Sequence, residues 1–201
     1  MIGVVDYGAG NLPSVERALA HIGAPFFTTA RPDELAKADR LVFPGVGEAR
    51  ASMEVLAARG LDRAIVAFAR SGRPLLGICI GAQVVLDGSE ERETRCLGLI
   101  PGEAKRFRIA RELKVPHIGW NQVEQVAKHS VFAGIPDGAC FYFVHSYYPQ
   151  PTDAGLTIAE TDYGLRFVSA FARDNIVAVQ FHPEKSGEHG LRLLANFAGV
   201  R

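Results

Sequence analysis

Three short apolar runs in the first half of the chain end in glycine: "IGVVDYG" at 2–8, "RLVFPGVG" at 40–47 and "PLLGICIG" at 74–81. A strand with one face in water alternates apolar and polar residues, so runs this continuous predict strands covered on both faces. Stretches of helical period lie between them. "LPSVERALAHIG" at 12–23 is one; in "ASMEVLAARGLDRAIVAFARSG" at 51–72, Met53, Leu56, Leu61, Ile65 and Phe68 recur at helical spacing. Strands alternating with helices predict right-handed βαβ units, hence an α/β fold with a mostly parallel central sheet flanked by helices.

From about residue 96 the texture changes to glycine-punctuated, aromatic-rich segments: "GLIPGEAKRFRI", "KVPHIGWNQVEQV", "ACFYFVHSYY", "GLTIAETDYG" and "RFVSAFARDNIVAVQFHPE". These predict antiparallel strands and hairpins added to the sheet. "GLRLLANFAGV" at 190–200 predicts a closing helix. No repeat, low-complexity tract or boundary signal divides the 201 residues, so one domain spanning 1–201 is expected.

Charge and cysteine content narrow the partners. The 22 basic and 22 acidic residues cancel, so no overall field draws the chain to nucleic acid or an anionic membrane. The basic segment "AKRFRIAREL" at 104–113 has acidic surroundings and reads as a solvated hairpin. Asp6 interrupts the first apolar run too early for a signal-peptide core, and no stretch approaches the roughly 18 to 20 apolar residues of a membrane span. A soluble, cytoplasmic protein is expected. Cys79, Cys96 and Cys140 form no C-x-x-C pair and the histidines no H-x-x-x-H pair, so disulfides, metal and cofactor are not expected.

The chemistry centres on "LGICIGAQ" at 76–83, where Cys79 stands between two glycines directly after an apolar run. G-x-C-x-G is the thiol form of a nucleophile elbow, in which a sharp strand-to-helix turn crowds neighbouring backbone and exposes the central residue above the sheet. The following helix would favour thiolate, and the Ile80 amide would face a developing oxyanion. The motif alone also fits a buried structural cysteine. In "VAVQFHPEKSGEHG" at 177–190 an apolar strand delivers His182, and Glu184 follows across Pro183. Proline keeps the preceding residue extended, and in an extended segment positions i and i+2 share a face. Glu184 can then hold one ring nitrogen while the other faces Cys79, as in acyl transfer. His182 as a structural residue of an apolar strand stays open. "FPGVG" at 43–47 ends a buried strand in accessible backbone N–H groups, either a second oxyanion donor or a strand-ending turn. The other five histidines, His117 and His145 of the aromatic strands among them, read as structural or surface residues.

With elbow, distant H-P-E and P-G-x-G loop in this order, the chain resembles the class I glutamine amidotransferases. "DYGAGNL", "FPGVG", "GICIGAQ", "GLIPG", "VPHIGWN", "YFVHSYY" and "QFHPEKS" together look like the glutaminase subunits of imidazole glycerol phosphate synthase, over nearly the whole chain. The resemblance implies hydrolysis of L-glutamine to glutamate and ammonia, with ammonia passed through a tunnel to a cyclase subunit in a heterodimer. That subunit would form imidazole glycerol phosphate and an aminoimidazole carboxamide ribonucleotide. It also implies that Cys79 forms the thioester, that His182 shuttles the proton and that Glu184 orients it. Val46 and Gly47, with Ile80, would form the oxyanion hole. Gln83, Glu91, Ser146 and Tyr147 would contact glutamine. Asn11, Trp120, Tyr142 and Lys185 would lie at or near the cyclase, although Trp120 also fits core packing, Tyr142 strand packing and Lys185 a solvated charge. The elbow departs from the usual pattern at Ile80 and Ala82, and the small residue at 82 is expected to reshape the pocket wall. A stand-alone γ-glutamyl hydrolase, a glutaminase serving another synthase and a non-catalytic scaffold remain the alternatives; "PHIGWN" and "HPEKS" speak against the first.

Overall fold

A computed structural model describes residues 1–8, 11–109 and 113–200. Ala9 and Gly10 of "DYGAGNL" and residues 110–112 of the basic segment lie outside the described residues. The first part of the chain runs β1 (Ile2–Val5), α1 (Leu12–His21), β2 (Phe26–Thr29), α2 (Pro32–Leu35), β3 (Arg40–Gly45), α3 (Ala49–Ala58), α4 (Leu61–Arg70), β4 (Leu75–Cys79) and α5 (Ile80–Val84). The second is strand-rich: β5 (Leu86–Ser89), β6 (Thr94–Arg95), β7 (Ile100–Arg106), β8 (His117–Gln125), β9 (Ala139–His145), β10 (Tyr147–Pro151), β11 (Thr157–Asp162), β12 (Arg166–Arg173) and β13 (Ile176–Val179), closed by α6 (Gly187–Ala198).

Among the described residues the main sheet has nine strands in the order β2-β1-β3-β4-β13-β12-β11-β8-β9. Its β2, β1, β3, β4 and β13 are parallel, and from β13 outward every pairing is antiparallel. The sheet is therefore mixed, with the elbow strand β4 in its centre. β1, β4 and β13 are buried along their whole length, as their unbroken apolar runs require. One face packs Val4, Ile78 and Val179 against Leu19 of α1 and Leu193 and Phe197 of α6. The other packs Val5, Phe43 and Leu75 against Leu56 of α3 and Ile65 and Phe68 of α4. Each such side chain contributes about 1.5–3 kcal/mol when fully buried.

Two segments differ from the expectation. The helical stretch at 51–72 is two helices broken at Gly60, whose φ of 69° takes the chain out of the right-handed helical region. The run "ACFYFVHSYY" is split at Ser146: β9 joins the main sheet, whereas β10 pairs with β7 in a separate four-stranded sheet, β10-β7-β5-β6. Strand periodicity reports which face is buried and not which partner is taken, so this division is set by long-range pairing. The sheets diverge at Ser146, beside the elbow.

Candidate active site

β4 passes into α5 without an intervening residue, and Cys79 takes φ 55° and ψ −107° to make the turn. Positive φ in a non-glycine residue costs about 1–3 kcal/mol and is retained only where surrounding structure enforces it. Here the enforcement is close backbone packing. A Cβ on Gly81 would lie 2.0 Å from the carbonyl oxygen of Phe43, and one on Gly77 would lie 2.8 Å from that of Gly81. The flanking glycines are thus required by the approach of α5 to β3 and β4. Ala82 is fully buried behind the elbow and does not itself line the cavity.

His182 lies three residues beyond β13, where its N–H donates to the Tyr142 carbonyl at 2.9 Å. Ser186 Oγ donates to the His182 carbonyl at 2.6 Å and accepts from the Tyr142 N–H at 3.0 Å, locking the ring's backbone to β9. Glu184 Oε1 accepts from His182 Nδ1 at 2.8 Å. The pairing arises differently from the extended geometry expected: Pro183–Lys185 is a 3-10 turn closed by the Lys185 N–H on the His182 carbonyl. Proline's fixed φ suits the first position of such a turn. Burial alone pushes the His182 imidazolium down, but the neighbouring Cys79 and the Glu184 carboxylate outweigh it and hold the ring up at about 10. The ring beside Cys79 is thus held as an imidazolium.

Cys79, His182, Val46, Gly47, Ile80, Gln83, Glu91, Ser146 and Tyr147 line one cavity of about 240 Å³, together with Pro116, Val144 and His145. Glu184, behind the His182 ring, does not line it. Gly47 sits at φ +97°, so the loop after β3 depends on a conformation that L side chains rarely adopt. β3 and β4 are in register with Gly45 opposite Cys79, which carries Val46 and Gly47 to the sulfur side of the elbow. Gln83 Nε2 donates to the Tyr147 carbonyl and to Gln180 Oε1, both at 2.9 Å, while its buried Oε1 has no partner. Glu91 has a second task, since Oε2 accepts from the Ala49 N–H at the start of α3 at 2.7 Å. Burial raises its carboxyl pKa.

Sequence reasoning did not single out Gln180 or assign His145 to the site. Gln180 is fully buried and its Nε2 lies 3.6 Å from Cys79 Sγ. The available signal was an amide interrupting the apolar run "VAVQF". Among the described residues no group of three or more His, Cys, Asp or Glu is placed to hold a metal ion.

Of the residues expected at a partner surface, Trp120 of β8 and Tyr142 of β9 are directly opposite in the strand pairing, while Lys185 comes from the turn after β13 and Asn11 from the start of α1. Trp120 is 58% exposed, Tyr142 stands edge-on to it with ring centroids 6.2 Å apart, and Lys185 Nζ is 5.7 Å from the Tyr142 ring. The core alternative for Trp120 is therefore excluded. Asn11 precedes α1, and its carbonyl accepts from the Ser14 and Val15 N–H groups. α1 packs on the turn that carries Lys185. Among the described residues no helix is long and apolar enough to cross a membrane.

An elbow cysteine and a histidine held by glutamate meet at one cavity, the arrangement that thiol-dependent acyl transfer requires. Residues 3–199 match the family described as "Glutamine amidotransferase class-I", and the chain belongs to that family. It is 48% identical over 198 residues to the imidazole glycerol phosphate synthase subunit HisH of Dehalococcoides mccartyi, covering 98% of this chain and 96% of that protein. It is 51% identical over 205 residues to the subunit of the same name from Thiobacillus denitrificans, covering 98% and 90%. The solved structure of PurLQS from Thermotoga maritima superposes with a TM-score of 0.76 at 17% identity, covering 98% of this chain and 97% of that one, a likeness of fold.

Proposed function

We propose that the chain is the glutaminase subunit of an imidazole glycerol phosphate synthase, acting in histidine biosynthesis and folding as one glutamine amidotransferase domain over residues 1–201. The observation that carries this reading is the near-full-length identity of 48% and 51% to two subunits of that name. The chemistry is hydrolysis of L-glutamine, with ammonia handed to a cyclase subunit in a heterodimer. A cytoplasmic location fits a biosynthetic enzyme.

In the mechanism, Cys79 attacks the side-chain carboxamide carbon as thiolate, and the oxygen becomes an oxyanion. N–H groups of Ile80 and of the Val46–Gly47 segment receive it; one such donor is typically worth about 10² to 10³ in rate. His182 holds the former thiol proton and gives it to the departing nitrogen, which leaves as ammonia and the γ-glutamyl thioester remains. It then takes a proton from water, whose oxygen attacks the thioester, and glutamate and the free cysteine are restored. Glu184 keeps Nδ1 protonated so that Nε2 does this work. Gln83, both of whose N–H groups are already used within the protein, walls the glutamine site behind the elbow. Ser146, Tyr147 and Glu91 wall the remainder of the glutamine site.

Trp120, Tyr142, Lys185 and Asn11 form the docking face for the cyclase. An exposed tryptophan on a half-buried tyrosine beside a cation has the composition of an interface centre. The test is reconstitution: with a cyclase subunit the chain should comigrate as a one-to-one complex and support imidazole glycerol phosphate formation from glutamine. Failure to pair with the cyclase, or nitrogen transfer only to another synthase's acceptor, would overturn this reading.

A further inference from the structure

The buried side chains behind Cys79 form a directed chain of hydrogen bonds, and its direction follows from an atom that has no choice. The Tyr147 carbonyl can only accept. It lies 2.9 Å from Gln83 Nε2 and 2.8 Å from His145 Nδ1, so both nitrogens donate. The same Gln83 Nε2 is 2.9 Å from the Gln180 amide, which must present Oε1 to it. Gln180 Nε2 is thereby left facing Cys79 Sγ at 3.6 Å.

The other arm fixes the carbonyl. With its proton on Nδ1, neutral His145 accepts at Nε2 from His117 Nδ1, 3.0 Å away. His117 Nε2 then accepts from Asn121 Nδ2 at 3.3 Å, and the same amide donates to the Asp162 carbonyl at 2.8 Å. Each ring keeps one proton, as this requires: burial pushes His117 down to about 4 and His145 down to about 3.

We propose that Gln180 stabilises the nucleophile by donating its Nε2–H to the Cys79 thiolate, held in the donating orientation by the chain through Gln83, Tyr147, His145 and His117. An N–H aimed at sulfur favours the charged form, and an amide does so without competing with His182 for the proton. The inference rests on Cys79 being the nucleophile. The titratable groups around Cys79 are His182, backed by Glu184, Tyr7, whose hydroxyl burial pushes up to about 12, and Glu91 and His145, which line the same cavity.

The test is the pH profile of Cys79 alkylation by iodoacetamide, read on the Cys79 peptide by mass spectrometry because Cys140 is exposed and reacts as well. It needs no glutamine turnover, so failure here is separable from failure of the proposed reaction. Gln180→Glu keeps the shape and the acceptor for Gln83 but replaces the donor; Gln180→Met removes both. In either folded variant the inflection should rise by about one pH unit, a roughly tenfold smaller thiolate fraction below it. An unchanged inflection in a folded variant would overturn the proposal. If neither variant folds, the Gln180 side-chain amide protons in ¹⁵N-labelled native chain decide: they should shift with the Cys79 inflection, and a flat trace would overturn the proposal equally.

Discussion

Gly81 and Phe43 touch backbone to backbone: a Cβ on the glycine would lie 2.0 Å from the phenylalanine carbonyl oxygen. The partner atom belongs to the buried central strand β3 and has no room to yield. Gly81→Ala should therefore destabilise the fold by more than about 3 kcal/mol, read as a lowered denaturation midpoint or loss of soluble protein. Wild-type stability in that variant would show that the elbow is looser than the structure has it.

Glu184 and His182 give a coupled prediction for rate and pH. Glu184→Gln should lower kcat by about 10²- to 10⁴-fold with a smaller effect on KM. The folded His182 is held up at about 10, above its ordinary 6.5, so its contribution to stability is complete below about 6.5 and lost as pH rises through about 10. The Tm advantage of the native chain over the variant should shrink across that window; an advantage that grows with pH would contradict the charge assignment.

His117 and His145 act in the opposite sense. Burial depresses both, to about 4 and about 3, so the unfolded chain binds more protons than the folded one between those values and 6.5. Their contribution is present above about 6.5 and lost as pH falls toward 4 and 3. A neutral replacement such as His145→Gln should make this acid limb of a Tm-against-pH curve shallower, and an unchanged limb would mean that the ring is not held neutral.

The convergence of Cys79, His182 and Glu184 was legible because its signals are local. Cys79 sits in a G-x-C-x-G turn after a continuous apolar run, and His182 and Glu184 bracket a proline. β1, β3 and β4 were legible for the same reason, since strands buried on both faces leave unbroken apolar stretches. The division at Ser146 was not, because β9 and β10 have similar strand texture and differ only in distant partners. Gln180 and His145 escaped for a related reason: a polar residue in a strand does not announce that its partner lies 97 or 28 positions away.

Trp120 tests the docking face. It is 58% exposed and makes no core contact to lose, so Trp120→Ala should leave Tm nearly unchanged. Cyclase binding should weaken by about 2 kcal/mol or more, roughly 30-fold in Kd by titration calorimetry. Undiminished affinity would move the interface off this face.

Glutamate release by the purified chain, alone and then with the cyclase subunit and its nucleotide ligand, with Cys79→Ser as control, tests the central claim most directly. The account predicts a large rise with the partner that the variant lacks. Equal release with and without the partner, or release that survives Cys79→Ser, would contradict it.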